Sequence, residues 1–90
     1  MIIAYGEANK ANWVLDAQGD FRTLVVTNGK GKEENLRFKL DGDLYLYCKD
    51  GNPYSIGNRM LYRILTEILT FIADTDEIDD AVNEIMIALL

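Results

Sequence analysis

The hydrophobic residues of this 90-residue chain change their spacing once, shortly after residue 52. Before this point apolar and polar residues alternate, and a period of two indicates strands that send alternate side chains to opposite faces of a sheet. Beyond it, apolar residues recur about every 3.6 positions, which indicates an amphipathic helix: Met60, Leu61, Ile64, Leu65, Ile68, Leu69 and Ile72. Strands followed by helices predict an α+β domain of two layers.

Residues 1–52 predict a four-stranded antiparallel meander of two hairpins, joined by the loop "NGKGKE" (28–33). The predicted sheet has four strands, or five if "MIIAY" (1–5) adds a strand at one edge. Pro53 is expected to end the strand region. A second helix, antiparallel to the first and packed on the same face of the sheet, places Ile78, Val82, Ile85 and Leu89 on one side. No linker divides the chain, so residues 1–90 form one domain, with a sheet half (1–52) and a helical half (55–90).

The ends of the two helices have candidate capping residues. Ser55 or Asn58 is expected to cap the first helix, because a short polar side chain accepts a hydrogen bond from the free N–H groups there. Asp74 and Glu77 have the spacing of a capping box for the second helix.

The first hairpin turn is predicted as a type I turn whose Gly19 takes the left-handed conformation. This register pairs Leu15 with Phe21 and Trp13 with Thr23, so that Trp13, Leu15 and Phe21 pack in the core. The following strand, "FRTLVVT" (21–27), is apolar on both faces, which is typical of a central strand.

The second hairpin decides which side of the sheet is buried. A bulged turn at Gly42 pairs Phe38 with Leu44, Leu36 with Leu46 and Lys39 with Asp43, whereas a two-residue turn would mix apolar and basic side chains on each face. The bulged register is preferred because it separates the faces. It directs one set of side chains to the core (Leu36, Phe38, Leu44, Leu46 and Cys48) and another set away from it (Arg37, Lys39, Tyr45, Tyr47 and Lys49).

No catalytic residue, metal site or cofactor is predicted. The chain has no histidine, and its one cysteine is expected to be a buried, unreactive thiol. The acidic pairs at the two hairpin turns are explained by turn formation. The loop 28–33 lacks the flanking residues of a phosphate-binding loop, and "DTDEIDDAVNE" (74–84) lacks the central glycine of a calcium loop. The chain is therefore expected not to be an enzyme.

Cysteine usage and the first residues bear on location. A single cysteine excludes an internal disulfide. "MIIAYGEANK" (1–10) lacks the basic start and long apolar run of a secretion signal, so we expect a soluble, cytoplasmic protein without a membrane partner.

Charge is unevenly distributed along the chain, whose net charge is −6. All nine basic residues lie in 1–63, whereas residues 64–90 contain seven acidic residues and no basic one. Six of the seven form the first candidate binding surface, which would dock onto a basic partner: Asp74, Asp76, Glu77, Asp79, Asp80 and Glu84.

A second candidate surface is the outward sheet face with Arg37, Lys39, Tyr45, Tyr47 and Lys49. Tyrosine and arginine are enriched at protein contacts, and aromatic rings with basic residues also suit stacking of nucleic-acid bases. A simpler interpretation is cross-strand pairing on a solvated face. The apolar run "IMIALL" (85–90) is expected to be deeply buried or an oligomer contact.

These features favour a non-catalytic protein-binding module. Small size and strong acidity are also typical of phage-encoded inhibitors, including anti-CRISPR proteins, and this likeness of class suggests an antagonist that blocks a basic or nucleic-acid-binding surface on its partner. The alternatives are a small-ligand or single-stranded nucleic-acid binder using the outward sheet face, and a homo-oligomeric structural subunit assembled through "IMIALL" or through Leu24 and Val26. Nucleic acid is the less favoured partner because the net charge is negative.

Overall fold

The computed structural model describes residues 1–90 as a six-stranded antiparallel sheet followed by two helices. The strands lie side by side in chain order: β1 (Ile2–Ala8), β2 (Ala11–Gln18), β3 (Phe21–Asn28), β4 (Glu33–Asp41), β5 (Asp43–Tyr47) and β6 (Pro53–Ser55). The helices are α1 (Asn58–Ala73) and α2 (Asp79–Leu89). The predicted α+β fold is confirmed, with a fifth strand at the N-terminal edge and a sixth that was not predicted. Neither helix is both long enough and apolar enough to cross a lipid bilayer.

Pro53 begins the unpredicted strand instead of ending the strand region. Residues 48–52 form a turn in which Cys48 N–H donates to Asn52 O at 3.1 Å, and Pro53 then pairs with Tyr47. Proline is tolerated at the first position of an edge strand, because its missing N–H removes no hydrogen bond between central strands.

The helices cover one face of the sheet and form the core with it. The sheet contributes Trp13, Leu15, Leu24, Val26, Phe38 and Leu44, all buried. The helices contribute nine buried residues: Leu61, Leu65, Leu69, Ile72, Ala73, Ala81, Val82, Ile85 and Leu89. The 3.6-residue period therefore identified the buried faces of both helices, although Met60 is exposed.

The predicted helix caps are wrong. The N-cap residues are Gly57 for α1 and Ile78 for α2, and neither makes a side-chain capping bond. Ser55 is in β6 and Asn58 is already helical. Asp74 cannot cap α2 because it ends α1: it adopts the left-handed conformation, and its N–H donates to Thr70 O at 3.0 Å.

The register predicted for the first hairpin is wrong. The turn contains only Gly19 and Asp20, so Leu15 pairs with Leu24 and Trp13 with Val26. Strand β3 is apolar on both faces. The observed pairing differs from the predicted one by an odd number of positions, which exchanges the two faces of the strand. Leu24 and Val26 are therefore buried, and Phe21 lies on the open face. Because Leu24 and Val26 lie in the core, the oligomer contact predicted through them is also wrong.

The second hairpin has the predicted faces but a different register. Leu40 pairs with Leu44 and Phe38 with Leu46 around an Asp41–Gly42–Asp43 loop, two positions from the bulged pairing. A change of two positions in the pairing keeps every side chain on the face of the sheet predicted for it. Leu44 is accordingly 6% exposed and Leu46 packs against the core, while Tyr45 and Tyr47 lie on the open face.

Cys48 is exposed, so its predicted burial is wrong. Strand β5 ends at Tyr47, and Cys48 therefore enters a turn where the alternation of faces no longer applies. The run "IMIALL" is divided rather than buried as a whole: Ile85 and Leu89 are in the core, whereas Ile87 and Leu90 are exposed.

Candidate functional site

The end of α1 is held by side chains from two hairpin loops. These contacts fix the position of Asp74, the first of the acidic residues predicted to bind a partner. Asn9 Nδ2 donates to Ala73 O at 2.8 Å, Asn28 Nδ2 donates to Ile72 O at 3.1 Å, and Lys32 Nζ lies 3.5 Å from Phe71 O. The last helical carbonyl groups, which have no partner within a helix, are thus satisfied by the sheet layer. A cavity of about 500 Å³ lies at this corner, where Lys10, Lys30 and Lys32 line it together with Asp74.

Asn28 also organises the basic loop between β3 and β4. Its Oδ1 accepts hydrogen bonds from the N–H groups of Lys30 at 2.8 Å and Lys32 at 3.1 Å, and its own N–H donates to Lys32 O at 3.0 Å. Asparagine side chains commonly close such turns by bonding to the backbone two residues on. The loop "NGKGKE" thus has a local structural role.

The acidic segment, which we define as Asp74, Asp76, Glu77, Asp79, Asp80 and Glu84, runs from the end of α1 into α2. All six side chains are exposed. None of them forms an ion pair, since the chain has two salt bridges and neither involves these residues. The one side-chain hydrogen bond to the segment comes from Tyr62 Oη, 3.4 Å from Asp79 Oδ1. The segment is therefore a solvated surface without ion pairs, although Asp74 shares the corner cavity with Lys10, Lys30 and Lys32.

The open face of the sheet carries an aromatic–cation cluster, which we define as Phe21, Arg37, Lys39 and Tyr47. The guanidinium carbon of Arg37 lies 4.4 Å from the Phe21 ring centroid and 5.7 Å from that of Tyr47. Lys39 Nζ lies 5.5 Å from the Phe21 centroid, and the two rings are 6.0 Å apart. Cations over aromatic faces attract the ring electrons, so these contacts order the side chains relative to one another.

The strand pairing explains how the cluster forms. Phe21 on β3 lies opposite Lys39 on β4, and Arg37 lies opposite Tyr47 on β5. Tyr45 pairs with Lys39 and extends the same face toward Ser55 on β6. A cavity of about 410 Å³ borders the cluster and is lined in part by Asp16 and Arg37.

Four of the five residues predicted on this face lie there, and one does not. Lys49 is in the turn 48–52, beyond the end of β5. Phe21 was missed because the first hairpin register was wrong. A two-residue turn at Gly19–Asp20 would have placed it correctly, and Gly19 does have a positive φ of 59°.

The two candidate surfaces lie on opposite sides of the molecule. The acidic segment belongs to the helical layer, whereas the aromatic–cation cluster is on the sheet face that the helices leave open. Each surface therefore has to be tested separately.

Other acidic groups do not assemble into a site. No three cysteine, aspartate or glutamate side chains lie close enough together to hold a metal ion. The pKa of Asp50 is lowered, first because the Asn52 N–H donates to its carboxylate at 2.9 Å, but the group is an exposed part of the turn 48–52. Its role is to stabilise that turn.

Comparison with protein-family models, with curated protein sequences and with solved structures gives no match to this chain.

Proposed function

We propose that the chain is a non-catalytic protein-binding module that docks onto a basic surface of another protein through its acidic segment. The observation that carries the proposal is that all six carboxylates are exposed and that none forms an ion pair within the chain. Such a surface attracts positively charged partners and speeds their association.

A role within the fold accounts for only part of this charge. Asp79 and Asp80 occupy the first turn of α2, where acidic side chains are favoured by the free N–H groups. Asp74, Asp76 and Glu77 precede the helix, and Glu84 lies beyond its first turn. These four carboxylates repel one another and also repel Asp79 and Asp80. A cationic partner would relieve that repulsion.

A partner that binds nucleic acid fits this chemistry best. Proteins bind phosphate backbones with clusters of lysine and arginine, and carboxylates can occupy the same cationic groups. The chain would then act as an inhibitor, in the manner of small phage-encoded antagonists such as anti-CRISPR proteins. A cytoplasmic site of action suits the exposed, unpaired thiol of Cys48, because a reducing compartment protects it.

The test compares two charge-matched triple variants in affinity capture from a lysate of the native host. Asp76→Asn, Asp79→Asn and Asp80→Asn together remove three of the six negative charges of the acidic segment. Glu33→Gln, Asp41→Asn and Asp43→Asn neutralise three exposed carboxylates of the sheet layer and change the net charge of −6 by the same amount. We expect the control variant to capture a partner protein that the first variant does not capture. The wild-type protein should also displace nucleic acid that is bound to this partner. Equal capture by both triple variants would reject the proposal.

The aromatic–cation cluster supports a second candidate, binding of single-stranded nucleic acid or of a small planar ligand on the open face. Tyr45 and Tyr47 supply ring surfaces beside Arg37 and Lys39, the combination that stacks bases and contacts phosphates. The test is fluorescence anisotropy of labelled oligothymidine at increasing salt. Binding should weaken with salt and be lost in Tyr45→Ser plus Tyr47→Ser, but not in the matched Tyr54→Ser plus Tyr62→Ser. Retained affinity in the first double variant would exclude this candidate.

A further inference from the structure

Three lysine side chains from two hairpin loops line one cavity at the end of α1. Lys10 belongs to the loop between β1 and β2, and Lys30 and Lys32 belong to the loop between β3 and β4. The cavity has a volume of about 500 Å³, and Asp74 is the only acidic residue in its lining. A chain whose net charge is −6 therefore has a site where positive charge is in excess.

The fold brings the two loops together and fixes their positions. Ala11 at the start of β2 pairs with Asn28 at the end of β3, so both loops lie at the same end of the sheet. The side chains of Asn9 and Asn28 then donate to consecutive carbonyl groups at the end of α1, at 2.8 Å and 3.1 Å. The backbone at Lys10 and Lys30 is thus held in place before a ligand binds, which reduces the entropy cost of binding.

A role within the fold accounts for one of the lysines and not for the other two. Lys32 Nζ lies 3.5 Å from Phe71 O and 4.3 Å from the Phe71 ring centroid, as suits a cation at the negative end of a helix. The ammonium groups of Lys10 and Lys30 make no hydrogen bond, ion pair or cation–π contact within the chain. They are free to bind an anion in the cavity.

We propose that this cavity binds a small phosphate ester, with its phosphate group held between Lys10, Lys30 and Lys32. Three ammonium groups and one carboxylate give the lining a net charge of +2, which matches the charge of about −2 on a phosphate monoester. Lysine binds phosphate as a compact point charge, whereas planar carboxylates pair best with arginine, and no arginine lines the cavity. The volume is within the range of about 300–1,000 Å³ that small-molecule sites have, so an organic group fits beside the phosphate.

The acidic segment favours a small ligand over a nucleic acid. It begins at Asp74 in the lining and continues through Asp76 and Glu77, which are exposed. A chain of phosphates that extended from the cavity along this segment would be repelled by these carboxylates, whereas a single phosphate group would not reach them. The loop 28–33 also lacks the sequence of a phosphate-binding loop, so lysine side chains provide the contacts.

Nuclear magnetic resonance titration with glycerol 3-phosphate tests the site, and glycerol is the control ligand because it lacks only the phosphate. We expect saturable shifts of the amide signals of Lys10, Gly29, Lys30 and Asp74 with glycerol 3-phosphate and none with glycerol. The probe has no aromatic ring, so it does not stack on the aromatic–cation cluster. The proposal would be overturned if these signals did not shift, or if sodium chloride of the same ionic strength shifted them equally.

Charge variants test which side chains hold the phosphate. Lys10→Gln plus Lys30→Gln should weaken binding by more than about tenfold, because two charge-assisted contacts are lost. Lys32 is kept because it also contacts the end of α1. The control, Lys49→Gln plus Arg59→Gln, removes the same charge from exposed side chains outside the cavity and should bind like the wild type. Equal affinity of the two double variants would contradict the assignment.

Asp74→Asn should change the affinity in the opposite direction. It removes the one negative charge of the lining, and asparagine tolerates the left-handed conformation that Asp74 adopts. Affinity for glycerol 3-phosphate should rise by about two- to fivefold, the effect of removing one exposed like charge. Unchanged or lower affinity would show that the charge balance of the lining does not select the ligand.

A last arm of the experiment compares the small probe with oligothymidine. Tighter binding of oligothymidine than of glycerol 3-phosphate, lost in Lys10→Gln plus Lys30→Gln, would assign the lysines to nucleic acid and overturn the small-ligand proposal. These two substitutions leave the acidic segment intact. The phosphate site can therefore fail its test while the proposed function stands.

Discussion

Gly6 on β1 lies directly opposite Trp13 on β2, and the indole ring covers the space that a side chain at Gly6 would need. A β carbon at this position would lie 2.7 Å from Cζ2 of Trp13, closer than such contacts occur. The Trp13 side chain is buried in the core, so it has little room to move away.

Gly6→Ala should therefore destabilise the protein by about 1–3 kcal/mol, the usual cost of overpacking a core. Urea unfolding measures this change. Gly29→Ala is the matched control, because its added β carbon meets nothing within 4 Å and its φ is not positive. If the two variants were equally stable, the packing of Trp13 on Gly6 would be wrong.

Removing the Asn28 side chain should loosen the junction between the β3–β4 loop and the end of α1. Asn28→Ala loses one hydrogen bond to Ile72 O and two from the loop N–H groups, and we expect a loss of about 1–3 kcal/mol in the free energy of unfolding. Thermal and urea unfolding report the change. The control is Asn35→Ala, an exposed position on β4, which should shift stability by less than about 0.5 kcal/mol. Similar losses in both variants would contradict this role of Asn28.

The contact between Arg37 and Phe21 should appear as a coupling free energy. A double-mutant cycle with Arg37→Ala and Phe21→Leu should give about 0.5–1 kcal/mol, as expected for a partly exposed cation–π pair. Repeating the cycle with Arg63→Ala, an exposed arginine on α1, should give no coupling. Additive effects in the first cycle would mean that the cluster is not formed in solution.

Cys48 should react with a thiol reagent in the folded protein. Its side chain is exposed in the turn after β5, so Ellman's reagent should label one thiol per chain without denaturant. The circular dichroism spectrum and the melting temperature of the labelled protein should match those of the unmodified one. A thiol that reacts only after unfolding would show that the turn is packed differently.

Sequence periodicity predicted the parts of the fold where each strand or helix has one apolar face. In "DLYLY", only one parity puts leucines together, so the buried side of β5 was predicted even though the register was off by two positions. The helices were predicted for the same reason, since their apolar residues fall on one side. The outward positions of Arg37, Lys39, Tyr45 and Tyr47 follow from the same parity.

Features that depend on turns or on tertiary partners were not predicted. Strand β3 is apolar on both faces, so the pattern could not decide between Phe21 and Leu24, and the choice was made by packing against Trp13, Leu15 and the helices. The helix ends depend on distant side chains: Asn9 and Asn28 satisfy carbonyl groups of α1 from more than 40 positions away in the chain. Cys48 was misplaced because alternation was extended past the end of its strand.

The most direct test of the central claim is the affinity of the captured partner for three proteins, measured by isothermal titration calorimetry. Asp76→Asn, Asp79→Asn and Asp80→Asn together should weaken binding by more than about tenfold, or ~1.4 kcal/mol, while the charge-matched sheet variant binds like the wild type. If the first variant bound as tightly as wild type, or if both variants weakened equally, the acidic segment would not be the docking surface.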